Sequence, residues 1–233
     1  MVAKMDYNRL IAFGCSFTYG QYLPDDTIFL GSDAESKKGL VKSIKLKPSK
    51  YAWPNILGEK LNIPLVINES HCGQSNKAML HDILNYKFDK NDIVFILWTF
   101  YDRHGVFTTK DHHWKINLFN LDKRSKFYYK YMHDEFDTTL ENYFYFNLAH
   151  SYLKEKNIKH EFLLYHDKCL ADFKWNKIKF LNIFFDDIRL KFPLAKDGRH
   201  PGIEAHKQFG NLIYQKYKNS EYYTGDKNET SLF

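Results

Sequence analysis

Little in this chain of 233 residues suits a disulfide scaffold or a membrane span, for it has three cysteines, six prolines and eleven glycines. Cys15, Cys72 and Cys169 are an odd set with no paired spacing, which argues against a disulfide framework and against a zinc knuckle. A reduced, intracellular protein is the expectation. No apolar run approaches the roughly 20 residues that cross a bilayer. The opening MVAKMDYNRL lacks the apolar core of a signal peptide, so a cytoplasmic location and no membrane partner are expected. Basic runs with regular aromatic interleaving are missing too, and nucleic acid is not an expected partner despite a formal net charge of +6. The lysines are scattered, as in KSIKLKPSK. A solvated surface is the plain reading, and attraction to an anionic partner such as a polysaccharide is the sharper one.

What the chain does have is apolar and aromatic mass: 44% hydrophobic residues and 18% aromatic, nearly all Tyr and Phe. That is enough to bury a good core in one domain, expected to span 1–233 with insertions at about 21–50 and 101–137. The bias toward Lys, Asn, Tyr, Phe and Ile over Ala, Gly and Pro fits an AT-rich genome, bacterial or viral. Leu10–Phe13, Ile63–Asn68, Asp92–Trp98 and His160–His166 read as strands, the third being the strongest because it is continuous and β-branched. Helices are expected from Pro54 to about Leu61, from Lys77 to Tyr86 behind a Ser75 or Asn76 cap, over 140–156 and 175–190, and after Gly202. In the last of these Ile203, His206, Phe209, Ile213 and Tyr217 share one face. Strands alternating with helices predict an α/β protein with a central parallel sheet.

In such sheets sites form at the carboxyl ends of the strands. Three stretches fall there: FGCSFTYG with Ser16, HCGQSN, and TFYDRHG. A serine hydroxyl becomes a nucleophile only when a base takes its proton, and that base is usually a histidine oriented by a carboxylate. DGRHPG supplies both, with Asp197 and His200 three residues apart, a spacing that lets a tight turn bring the carboxylate to the imidazole. Pro201 suits the first turn of the following helix and would stiffen the position of the base.

Together these blocks resemble the SGNH hydrolases, a branch of the GDSL esterases and lipases. FGCSFTYG is similar to the family's first block, with Cys15 where many members carry Asp, and the resemblance makes Ser16 the nucleophile. NESHCGQSN is similar to the second block and makes the Gly73 N–H an oxyanion donor beside that of Ser16. DGRHP is similar to the last and makes Asp197 and His200 the rest of the triad. A flavodoxin-like three-layer α/β/α sandwich is implied over essentially the whole chain.

The third block departs from the family pattern. Its Asn, the remaining oxyanion donor, corresponds to Phe100 in WTFYDR. Asn76 is the candidate substitute, and Arg103 is a second candidate or a clamp for an anionic substrate group. Cys15 is expected to be a buried neighbour rather than the nucleophile. KDHHW offers adjacent histidines without further ligands, so no metal is expected, and no organic cofactor. The aromatic stretch 126–136 reads as a sugar-binding lip or a small local core. The expected activity is hydrolysis of a small acyl ester, such as O-acetyl on a carbohydrate, through an acyl-enzyme. The alternatives are a glycan- or protein-binding module without turnover and an acyltransferase.

Overall fold

In the computed structural model the described residues are 7–25, 47–109, 112–116, 123–166, 178–220 and 222–223. Along the chain run β1 (Arg9–Phe13), α1 (Ser16–Tyr19), α2 (Trp53–Leu61), β2 (Leu65–Asn68), α3 (Asn76–Asn85) and β3 (Asp92–Trp98). Then come β4 (His104–Thr109), β5 (His112–Ile116), α4 (Lys123–Tyr131), α5 (Glu135–Glu155) and β6 (Lys159–Leu164). The last elements are β7 (Phe180–Phe184), α6 (Asp186–Arg189), α7 (Ile203–Asn219) and β8 (Tyr222–Tyr223).

Six strands form the main sheet in the order β2-β1-β3-β6-β7-β8. The pairings from β2 through β7 are parallel, and only β8 at the edge is antiparallel. All seven residues of β3 are buried, as a central parallel strand covered on both faces requires. One helical layer contains α2 and α7, which pack on each other, and the other contains α3 and α5. This is the α/β fold expected from the alternation, a parallel sheet between two helical layers. Its core holds the fully buried Trp53, Trp98, Phe13, Phe95, Phe146 and Phe162. Each such side chain contributes about 1.5–3 kcal/mol by leaving water.

Some expectations need correction. Of the helix read over 175–190, residues 175–177 lie outside the described residues, and the rest holds strand β7 followed by the single turn α6. Four of the five residues of FLNIF are apolar, and β7 lies beside β6 with Phe162 opposite Phe180, so strand pairing decides. Pro201 is not in the first turn of α7: it forms an isolated bridge with Leu194, and Gly202 is the N-cap. Ser75, not Asn76, caps α3, its hydroxyl accepting the Ala78 N–H. The polar-aromatic stretch 101–137 contains the β4–β5 hairpin and α4. Of the stretch 21–50, only 21–25 and 47–50 are described. Cys169 lies outside the described residues, as do Lys110, Asp111 and the side chains of His112 and His113.

Candidate active site

The parallel sheet delivers β1, β2, β3 and β6 to one end. Ala12 is opposite Asn68, Phe13 opposite Ile96, and Trp98 opposite Leu164, so the chain leaves all four strands on the same side. Ser16 stands there as the first residue of α1, and is only 5% exposed. Two glycines shape its turn. A Cβ on Gly14 would lie 2.0 Å from Thr18 Oγ1, so only glycine lets the strand turn so sharply into α1. Gly20 closes α1 at φ 77°, a left-handed conformation that other residues adopt at a cost.

The second-block loop is laced to this turn. Glu69 N–H donates to Ala12 O (2.8 Å) and His71 N–H to Gly14 O (3.2 Å). Asn68, the last residue of β2, donates its amide to Thr18 O (2.7 Å) and accepts from the Ser70 hydroxyl (2.5 Å). Gly73 follows at φ 71°. Among the described residues no acceptor takes the N–H of Ser16 or of Gly73.

Opposite stands the turn from Ala195 to Gly202. Ala195 N–H donates to His200 O (2.8 Å) and Gly198 N–H to Ala195 O (2.9 Å). Asp197 uses both oxygens: Oδ1 accepts the N–H of His200 (3.0 Å) and of Arg199 (3.2 Å), and Oδ2 lies 2.6 Å from His200 Nδ1. Partial burial pushes the Asp197 carboxyl up. The His200 ring bond and the two backbone N–H bonds outweigh it, leaving the carboxyl below its usual range. With Nδ1 engaged, Nε2 is the free end of the imidazole. The His200 ring packs against Phe17, the residue after Ser16 (centroids 5.5 Å apart), and against Tyr22 (5.0 Å). Tyr22 also lines a cavity of about 350 Å³ with Leu23, Pro193, Leu194 and Ile203. A larger cavity, about 560 Å³, is lined by His150, His160 and Lys179. It sits at the amino end of β6, the opposite end of the sheet from Ser16, so its size does not make it the site.

The exit from β3 differs from the family pattern. Phe100 packs on Tyr165 (4.1 Å), and Phe17 stacks on both Tyr165 (5.1 Å) and Phe185 (5.5 Å), which touch each other (6.4 Å). An aromatic wall therefore stands where the third block would present a polar donor. Asn76 is brought to this exit and is buried, but its amide is fully engaged. Oδ1 accepts the Thr99 N–H (2.8 Å), and Nδ2 donates to Thr99 O (3.2 Å) and to Asn142 Oδ1 (2.6 Å). Asn142 in turn donates to Tyr101 O (2.9 Å) and Thr138 O (2.7 Å). Arg103 donates to Thr99 Oγ1 (3.1 Å) and reaches Gln74 O (3.4 Å), its guanidinium 5.0 Å from the centre of the Phe100 ring. Asn142, Tyr165 and Phe185 escaped the sequence reading. For Asn142 the signal was a polar residue on the face of α5 that also carries Phe146 and Ala149.

Cys15 is buried at the cap of α1. Among the described residues no group of three or more His, Cys, Asp or Glu is placed to hold a metal ion. Among them, too, no helix is long and apolar enough to cross a membrane.

No protein-family model matches the chain, and no curated protein matches it in sequence. Solved structures do match. A lipolytic protein of the G-D-S-L family from Desulfitobacterium hafniense DCB-2 is 14% identical, aligned over 90% of this chain and 99% of its own, with a TM-score of 0.53. A carbohydrate esterase, whose active site is described as having divergent catalytic and non-catalytic binding functions, is 12% identical. That alignment covers 91% of this chain and 65% of the esterase, with a TM-score of 0.54. TesA is 13% identical over 91% of this chain and 98% of its own, with a TM-score of 0.50. At these identities the likeness is one of fold: the chain has the α/β fold of the SGNH and GDSL hydrolases.

Proposed function

We propose that this chain is a serine esterase of SGNH type, a single domain that hydrolyses a small acyl ester, with O-acetyl on a carbohydrate as the first substrate to try. The observation that carries the reading is the 2.6 Å bond from Asp197 to His200, on an imidazole packed against the residue that follows Ser16. With Asp197 on Nδ1, Nε2 takes the Ser16 proton as Oγ bonds to the ester carbonyl carbon. The carbonyl electrons move onto oxygen, facing the N–H groups of Ser16 and Gly73. His200 returns the proton to the departing alcohol, leaving an acyl-Ser16 ester. Water then loses a proton to His200 and attacks that ester, freeing the acid and restoring Ser16.

Asn76 was a candidate for the missing donor. With both amide hydrogens already given to Thr99 and Asn142, it is better assigned as a positioning residue that holds the backbone after β3. Arg103 has the same part from the other side.

Phe100, which cannot donate where the family's third block does, favours a second reading: a glycan-binding module with little turnover. Release of acetate from p-nitrophenyl acetate and from an acetylated oligosaccharide tests the choice. Turnover lost in His200→Ala supports the esterase, and none in the folded native chain overturns it.

A further inference from the structure

The outer face of α4 belongs to none of the machinery above. Its inner face is anchored: Ser125 is buried, the Tyr128 ring stacks on His104 (4.7 Å, 17°), and the Tyr129 hydroxyl donates to Asp102 O (2.6 Å). Those anchors are in the segment that leaves β3, where Phe100 lies 6.2 Å from Phe17. α4 is therefore mounted at the rim of the candidate site.

The other face is open. Phe127 is 56% exposed, Tyr131 64% and the following Met132 64%, and the two rings lie 5.1 Å apart. Around them stand the exposed Lys123, Arg124, Lys126 and Lys130, and α4 contains no acidic residue. Lys130 Nζ sits 4.8 Å from the centre of the Tyr131 ring. The nearest acids downstream have other work: Asp134 caps α5, and Glu135 accepts from the Tyr101 hydroxyl (2.8 Å).

We propose that this face docks an anionic polysaccharide, of the uronic-acid type, and presents its acyl groups to Ser16. A sugar ring offers an apolar C–H face and, for a uronate, a carboxylate at its edge. The two exposed rings of α4, flanked by cations, match that pairing. A bilayer matches it less well, because an interfacial helix keeps a wide apolar face separate from its cations, whereas Lys123, Phe127, Lys130 and Tyr131 share one face of α4. Single-stranded nucleic acid is better served by a continuous charged groove with a ring for each base. The docking proposal takes only the location of the ester from the esterase reading, and its test does not need turnover.

Binding of polygalacturonate to Ser16→Ala is measured by calorimetry at low and high salt, beside neutral dextran, phosphatidylglycerol vesicles and single-stranded DNA. Salt-sensitive binding of polygalacturonate, with dextran ignored, is expected. Phe127→Ala/Tyr131→Ala weakens it about tenfold, and Lys126→Gln/Lys130→Gln weakens it at low salt only. In a chain with Ser16 intact, both double variants keep native turnover of p-nitrophenyl acetate. Unchanged affinity in both double variants, equal binding of dextran, or preference for vesicles or DNA overturns the docking proposal. A chain that binds the polymer through α4 but hydrolyses no ester overturns the esterase reading alone.

Discussion

In the turn from Ala195 to Gly202, a carboxylate meets an imidazole three residues away, and neighbouring backbone groups complete the arrangement. At the exit from β3 the same kind of precision is reached by distant parts. Asn76 holds Thr99 across 23 residues of sequence, and Asn142 bonds Asn76 across 66. The first region is a local device that carries its geometry with it. The second exists only once α3, α5 and β3 have packed. A local device can be lost without unfolding the protein, whereas the loss of a packed clamp shows first in stability.

Asp197→Asn breaks the comparison most sharply. The amide strands His200 in the wrong tautomer, and turnover is expected to fall on the order of 10⁴-fold. The urea midpoint should move little, and a variant that keeps native rates would remove Asp197 from the chemistry.

Asn76→Ala and Asn142→Ala should behave alike. Each leaves buried polar groups near Thr99 or Tyr101 unpaired, at about 1–3 kcal/mol for each group stranded. Esterase rates should fall less than the roughly 10²–10³ that marks a lost oxyanion donor. If Asn76→Ala lost that much rate with its stability intact while Asn142→Ala did not, Asn76 would be a donor after all.

His206 sharpens the contrast by lying six residues beyond His200 and doing the opposite. It is wholly buried, its Nδ1 accepts the Trp53 N–H (3.2 Å), and burial, with a smaller contribution from His200, pushes its pKa down to about 3. The native state keeps it neutral while the unfolded chain takes up a proton below the usual value near 6.5. Stability is therefore complete above that value and declines as pH falls from 6.5 toward 3. His160, also pushed down by burial to about 4, adds to the same decline. His206→Asn should flatten it in denaturant midpoints collected across that range, and an unchanged acid limb would refute the assignment.

Phe100→Leu is the mildest change. It removes the contact with Tyr165 and should cost about 0.5–1.5 kcal/mol beyond lost area.

The same contrast explains what could be read from the sequence. β3 was legible because a strand buried on both faces has one continuous apolar run. α7 was legible because Phe209 and Ile213 recur on one helical face. Asp197 and His200 were legible because their relation is set within one turn. β7 was misread as helix because FLNIF is short, and its pairing with β6 is a tertiary fact. Asn142 and Tyr165 were invisible for the same reason, since nothing beside them in sequence points to Asn76 or Phe17. The likeness to solved hydrolases bears out the fold and leaves the chemistry to be measured.

Intact-mass analysis after a fluorophosphonate probe, on the native chain and on Ser16→Ala, tests the central claim most directly. One adduct on the native protein that disappears in the variant is the expected result, since only an activated serine attacks the probe. A folded native chain that stays unlabelled, or a variant that still takes the label, would contradict the account.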